Sequence, residues 1–355
     1  MNRCWQIVGD YGTGFHAGPK AQCDVTSILN DMGWRPFYVK RCMCRGFLGK
    51  LYNRLAWAVK CWWLRSRLPS ACTLFMQFPS AAWSASPMLC LLNEKTKRRK
   101  KIRFVVLIHD LASLRWSEDA VEKGELASDE SSVIETADVV IVHNAAMKEA
   151  LVRRGVPEKK MVELGIFDYM TPDDGRMDRV LSNEIAIAGN LNPDKAGYLD
   201  GLASISDVNW NLYGVQFNSE HLKGDNVRFK GCYAPDDLPV KIEGSFGLVW
   251  DGRSIECCAG ALGNYLRINN PHKLSLYLAS GLPVFIWEGA AEATFVKAHD
   301  VGICLGSISE IPDIINSMTT DRYQQLVRNV AAQSKLLRNG HFLKMAIKQA
   351  IYQGE

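Results

Sequence analysis

His109 and Asp110 follow directly on the apolar run Val105-Val106-Leu107-Ile108, and Asp110 leads into Leu111-Ala112-Ser113-Leu114-Arg115. A His-Asp pair at a strand end is placed where a general base is needed, because a carboxylate that accepts a hydroxyl proton must lie within hydrogen-bond reach of it. The same residues also suit a structural role, with Asp110 capping the next turn and His109 acting as a donor. A second constellation runs from Asn269 to Trp287. Asn270 suits a helix cap, Pro271 the first helical position, and Leu274, Tyr277 and Leu278 share one face. Ala279-Ser280-Gly281 ends that helix and Val284-Phe285-Ile286-Trp287 reads as a buried strand. Free N–H groups and the positive dipole end, with Lys273 and Ser275 beside them, suit a phosphate or diphosphate. An ordinary capped connection in an α/β protein would look the same.

Weaker signals sit at other strand ends. Trp5 to Val8 leads into a glycine-rich loop, Gly9 to Lys20, whose spacing is not that of a dinucleotide fingerprint; Lys20 and Gln22 fall near the following helix start. Ile185 to Ala188 is followed by Gly189-Asn190-Leu191-Asn192-Pro193-Asp194-Lys195, a glycine turn with a lysine that either pairs with a phosphate or is solvated. Tyr233, after Gly231-Cys232, is a platform for a base, and Asp251-Gly252 sets an exposed carboxylate after Phe246 to Trp250.

The elements that must position these residues alternate throughout, short apolar strands with helical segments, which predicts α/β architecture with parallel sheets. In the first half, strands are expected at 5–8, 37–39, 73–78, 104–108 and 139–142, and helices at 21–32, 47–66 and 145–154. A polar stretch, Thr171 to Arg179, reads as a linker. Strands are expected again at 185–188, 210–213, 227–229, 246–250 and 284–287, and the chain from Arg322 is helical with a break near Asn339-Gly340. Two such halves form a cleft, with ligands at the carboxyl ends of the strands.

Composition narrows the function classes. A chain of 355 residues with 47% apolar and 23% charged residues is a soluble protein large enough for two cores. A net charge of +4 is too small to point to nucleic acid, and the start lacks the apolar core of a signal peptide. Eleven scattered cysteines, without zinc or CxxC spacing, read as reduced cytosolic thiols. Leu68 to Asn93 carries no charge, but Pro69, Pro79 and Pro87 interrupt it, so it is read as a strand and a loop instead of a membrane span.

Charge distribution says more than net charge. Between Asp31 and Glu94 there is no acidic residue, while Arg35, Lys40, Arg41, Arg45, Lys50, Arg54, Lys60, Arg65 and Arg67 fall inside the interval. Phe47-Leu48, Leu51-Tyr52, Leu55, Val59 and Trp62-Trp63 recur there at helical spacing. A basic, tryptophan-bearing amphipathic helix suits an anionic membrane surface; a helix packed on its own domain with a solvated basic face is the other reading. The run Lys95 to Lys101 either extends this patch or is a solvated turn.

The order of motifs resembles bacterial glycosyltransferases of the GT-B type, in particular the β-1,6-galactofuranosyltransferase and glucosyltransferase-3-like group. The resemblance rests on Ile108 to Arg115, Ala137 to Asn144, Ile166-Phe167-Asp168-Tyr169, Ala188 to Leu191, Phe246 to Gly252 and Asn270 to Pro283, and is weakest from Arg35 to Ser70. It implies two Rossmann-like domains with parallel sheets facing a central cleft. The acceptor-side domain would span 1–170 and the nucleotide-sugar domain 180–330, with helices over 331–355 packing back toward the first. It also implies a UDP-sugar held by Lys195, Tyr233 and the stretch Asn270, Pro271, His272, Lys273, Leu274 and Ser275, with Lys20 facing the same cleft. Enzymes of this type stabilise the departing diphosphate with helix dipoles and cations, so neither metal nor cofactor is expected.

The activity expected is inverting transfer of a hexose, with galactofuranose first and glucose second, to a glycan or lipid-linked acceptor in surface polysaccharide synthesis. Asp110 is the expected base and His109 the alternate. A non-catalytic GT-B-like subunit is the rival from another class; a nucleotide-sugar epimerase fits poorly without the GxGxxG fingerprint. The expected partners are the donor, the acceptor and an anionic membrane met by segment 40–67, with a homo-oligomer left open and nucleic acid excluded. The expected location is cytoplasmic, peripheral on the inner face of the cell membrane.

Overall fold

Runs such as Ile102–Ile108 (IRFVVLI) are apolar on both faces, so each must be covered on both sides, and parallel strands with crossover helices are the stable solution. A computed structural model of the chain describes residues 3–9, 17–39, 46–79, 94–117, 125–172, 177–219 and 224–352. Parts of the glycine-rich loop (10–16), the basic segment (40–45), the uncharged segment (80–93) and the linker (173–176) named above lie outside the described residues.

The first half contains β1 (Cys4–Gly9), β2 (Arg35–Val39), β3 (Cys72–Phe78), β4 (Ile102–Ile108), β5 (Val139–Val142) and β6 (Met161–Glu163), ordered β2-β1-β3-β4-β5-β6. The second contains β7 (Glu184–Asn190), β8 (Asn209–Val215), β9 (Val227–Gly231), β10 (Phe246–Val249), β11 (Val284–Trp287) and β12 (Gly302–Leu305), ordered β12-β11-β10-β7-β8-β9. All pairings in both sheets are parallel. The α/β class and the two Rossmann-like sheets are therefore as the sequence led us to expect. The sequence reading did not include β6 or β12. Both are short edge strands, and their identity as strands comes from the neighbour they pair with.

Each face of the first sheet has its own core. On one, Val25, Ile28 and Leu29 of the Ala17–Asp31 helix meet Phe75, Val105, Leu107 and Ile141. The chain's last helix completes this face. Thr320–Arg338 runs with the second half, burying Tyr323, Leu326 and Val330 there; the chain turns at Asn339-Gly340, and His341–Tyr352 lays Leu343, Ala346, Ile347 and Ala350 onto the first sheet.

The Gly46–Arg67 helix behaves unlike its neighbours. Leu64 joins the core beside Leu68, whereas Leu48, Leu51, Tyr52, Leu55, Val59, Trp62 and Trp63 are exposed. The following basic run is partly structural. Lys97 Nζ donates to the Thr136 carbonyl at 2.6 Å and pairs with Asp138 at 2.7 Å, while Lys100 Nζ donates to the carbonyls of Arg65 and Leu68, closing the end of the exposed helix. No helix among the described residues is long and apolar enough to cross a membrane.

Candidate active site

In an open parallel sheet the ligand crevice lies where neighbouring strands send their following loops to opposite faces, and in the second half that point falls between β7 and β10. After β7, Asn192 caps the turn Pro193–Ala196 by accepting from the Asp194 N–H at 2.8 Å, and Lys195 stands in that turn. After β10 comes Asp251-Gly252. Backbone bonds stitch the two loops together: Gly252 N–H to the Lys195 carbonyl at 2.9 Å, and Tyr198 N–H to the Gly252 carbonyl at 3.2 Å. The result is a cation pair around one carboxylate. Lys273 Nζ lies 2.7 Å from Asp251 Oδ1 and donates to the Trp250 carbonyl at 2.7 Å, and Lys195 Nζ lies 3.7 Å from Asp251 Oδ2.

Asp251 was expected to be exposed. It is buried, because both lysines close over it. Burial lowers the Lys273 pKa and Asp251 opposes that shift. Beside them the Tyr198 hydroxyl is buried with no partner among the described residues. Two lysines against one carboxylate leave one formal positive charge in excess, which suits a multivalent anion.

Asp110 stands across the cleft from this cluster. Its carboxyl is 37% exposed, pairs with Arg115 at 2.8 Å and is hydrogen-bonded by the hydroxyl of Tyr265 from the second half. The Leu111 N–H donates to the same hydroxyl at 3.3 Å. Tyr265 ends the helix Gly260–Tyr265, and Gly263 in that helix is so close to Asp251 that an added Cβ would be 3.2 Å from the Asp251 carbonyl oxygen. One short helix therefore touches the candidate base at one end and the Asp251 backbone along its side.

The other predicted residues divide differently. His109 donates through Nε2 to Gln77 Oε1 at 2.7 Å and stacks on Phe167. Burial, reinforced by His143 and His272, lowers its pKa to about 3, leaving it a weak base at neutral pH. Asn270 does not cap the helix. That helix begins at His272, and the Asn270 amide instead donates to the Gly165 carbonyl at 3.1 Å while its backbone N–H donates to His143 Nδ1 at 2.9 Å. Ser275 Oγ donates to the Phe167 carbonyl at 2.7 Å, and Leu274 and Pro271 are buried. The ring of His272 lies 5.1 Å from that of Tyr169, its Nε2 has no partner among the described residues, and burial followed by the Lys20 charge lowers its pKa to about 3. Lys20 is itself enclosed, paired with Asp24 at 2.7 Å and with Asp236 of the second half at 2.6 Å, and bonded to the Met170 carbonyl. Tyr233 remains at the end of β9, its hydroxyl donating to the Lys230 carbonyl at 3.1 Å.

The structure thus gathers Lys195, Lys273, Asp110 and, through Tyr265, both walls of the cleft. It places Asn270, Ser275, His109 and Lys20 in the seam between the halves. Sequence reasoning missed the bridging Tyr265, which carries no motif. It also missed the seam pair formed by the Asn144 amide and Glu292 Oε1 at 2.8 Å; Asn144 stood within a recognised motif, but nothing marked Glu292 as its partner.

Residues 7–166 match the N-terminal domain, and residues 185–350 the C-terminal domain, of the glucosyltransferase 3-like family. The chain is 34% identical over 258 residues to the β-1,6-galactofuranosyltransferase WbbI of Escherichia coli K12, covering 72% of this chain and 73% of that one. It is 24% identical over 282 residues to glucosyltransferase 3 of Streptococcus parasanguinis, covering 78% of each. Among solved structures it resembles the lipopolysaccharide outer core galactosyltransferase WaaB, with a TM-score of 0.57, 11% identity and 99% of each chain covered. It also resembles Anabaena HepE in complex with UDP and glucose, with a TM-score of 0.59, 13% identity and 98% of each chain covered. At such identities the solved structures speak for the GT-B fold alone.

Proposed function

The chain belongs to the glucosyltransferase 3-like family of glycosyltransferases, and from that premise we propose that it moves galactofuranose from a UDP-sugar to a glycan or lipid-linked acceptor in surface polysaccharide synthesis. The observation that carries the donor site is the convergence of Lys195 and Lys273 on Asp251 at the β7–β10 switch point. A diphosphate arriving there meets two ammonium groups already gathered at the carboxylate, and they neutralise the charge that builds as UDP departs. The first half, residues 1–170, presents the acceptor; residues 180–330 hold the donor; the terminal helices within 331–355 tie the two together. Asp110 takes the proton from the attacking hydroxyl, with Arg115 and Tyr265 orienting its carboxylate, and His109 holds Gln77 in place. The protein works in the cytoplasm, peripheral to the inner face of the cell membrane.

Glucose is the second donor reading, favoured by the streptococcal relatives named glucosyltransferase 3. A screen of UDP-sugars by UDP release, run on the wild type and on Asp110→Asn, decides between them. We expect UDP-galactofuranose to be turned over fastest and Asp110→Asn to lose at least about a hundredfold in transfer while still binding UDP. Preference for UDP-glucose moves the donor assignment, and full activity in a folded Asp110→Asn removes the base.

A further inference from the structure

The Gly46–Arg67 helix turns its apolar stripe away from the protein. Leu48, Leu51, Leu55, Val59 and Trp62 succeed one another at steps of three and four residues, and each is between 48 and 78% exposed. Tyr52 and Trp63 flank the stripe on the helix, and Tyr38 at the end of β2 is exposed as well. A contiguous apolar face of this kind marks a surface that something covers.

Two coverings fit an amphipathic helix: a second copy of the chain or a lipid surface. Charge separates them. The interval from Met32 to Asn93 contains nine cationic side chains and no carboxylate. Arg65 and Arg67 follow the stripe at its carboxyl end, and the Arg67 guanidinium lies 4.8 Å from the centre of the Trp63 ring. A self-complementary dimer through this face would set these cations against their own copies. An anionic bilayer pairs with them, takes up the leucines, and holds the tryptophans at the level of the head groups. We propose that this face of the Gly46–Arg67 helix is a docking surface for an anionic lipid bilayer.

The topology gives the contact a use. The helix leaves the carboxyl end of β2 and returns the chain to the start of β3, so its amino end, at Leu48, lies on the sheet edge from which Asp110 emerges after β4. A bilayer seated on the stripe brings lipid-borne acceptors to the Asp110 side of the cleft. This last step rests on the transferase reading; the docking itself does not.

Co-sedimentation with phosphatidylcholine vesicles, with and without phosphatidylglycerol, tests the surface without any turnover. We expect binding that strengthens about tenfold or more with the anionic lipid, since each surface cation adds roughly a factor of five. Leu51→Glu/Leu55→Glu should abolish binding at an unchanged melting temperature and unchanged UDP affinity. Arg65→Gln/Arg67→Gln should reduce binding to anionic vesicles about twenty-five-fold and leave the neutral ones alone. Equal binding to both vesicle types, no loss in the leucine variant, or a lipid-free dimer that this variant dissolves would each overturn the proposal. Vesicle binding without UDP-sugar turnover would refute the transferase reading and leave the surface standing; turnover of a soluble acceptor without vesicle binding would do the reverse.

Discussion

At the scale of single residues, the site depends on Lys273 being held where it is. Its ammonium is fixed by the Trp250 carbonyl and Asp251, so little side-chain freedom remains to be lost when an anion arrives. Lys273→Met should weaken UDP binding about tenfold to a hundredfold, the range of a charge-assisted hydrogen bond, as measured by calorimetric titration. Affinity within a factor of two of wild type would place the diphosphate elsewhere. Glu292 poses a different question. Burial raises its pKa from 4.5 to about 8, with the Asn144 bond opposing. The folded chain thus keeps a proton that the unfolded chain releases above its ordinary value. The stability from this group is complete at low pH and is lost as pH rises toward 8. Glu292→Gln keeps an acceptor for Asn144 and should flatten the decline in melting temperature over that window; a decline as steep as in wild type would assign it to other groups.

At the scale of elements, several segments that carry the sequence resemblance prove to be the joints of the molecule. Phe167 accepts from Ser275, Asp168 accepts from the N–H groups of Phe342 and Leu343 at the start of the last helix, and the Tyr169 hydroxyl donates to the Pro235 carbonyl. His143, at the end of β5, is fixed as the neutral tautomer, because Nε2 faces the Ile108 carbonyl at 3.1 Å while Nδ1 accepts from Asn270 N–H. A second proton on Nδ1 would confront that N–H and break the joint. Burial lowers the His143 pKa from 6.5 to about 4. Between those values the unfolded chain takes up a proton that the folded chain refuses, so the stability from this group is full above 6.5 and falls as pH drops toward 4. Melting temperatures recorded down this window should fall, and His143→Gln should lower the starting value but show a shallower fall. An unchanged slope would rule out His143 as its source.

For the molecule as a whole, the chain returns from the second half to the first at Gly340. Its φ of +67° lies in the left-handed region, and an added Cβ would come within 2.7 Å of Ile28 Cγ1 in the first half's opening helix. Gly340→Ala should therefore cost about 1 kcal/mol in backbone strain plus the displacement of Ile28, lowering the melting temperature by several degrees. A melting temperature equal to wild type would show that the crossing tolerates a side chain. With Leu343, Ala346, Ile347 and Ala350 buried on the first sheet, the last helix is part of that half's core although it follows the second half in sequence.

The sequence by itself determined strands β1–β5 and β7–β11 and their parallel pairing, because continuous apolar runs such as Val139–Val142 have no face to offer to water. It also determined the residues available at the strand ends, Asp110 and Lys195 among them. The allocation of those residues was a matter of tertiary structure. Asn270 and Ser275 carry the marks of a phosphate cradle, and in the fold the Asn270 amide donates to the Gly165 carbonyl and the Ser275 hydroxyl to that of Phe167, groups more than a hundred residues away. The exposed side of the Gly46–Arg67 helix was likewise open in sequence, where its apolar period is the same for a helix facing a core or facing away from one. A periodic pattern records that a face is apolar, and a polar side chain records that it can bond; what either meets depends on the other segments brought beside it by the fold.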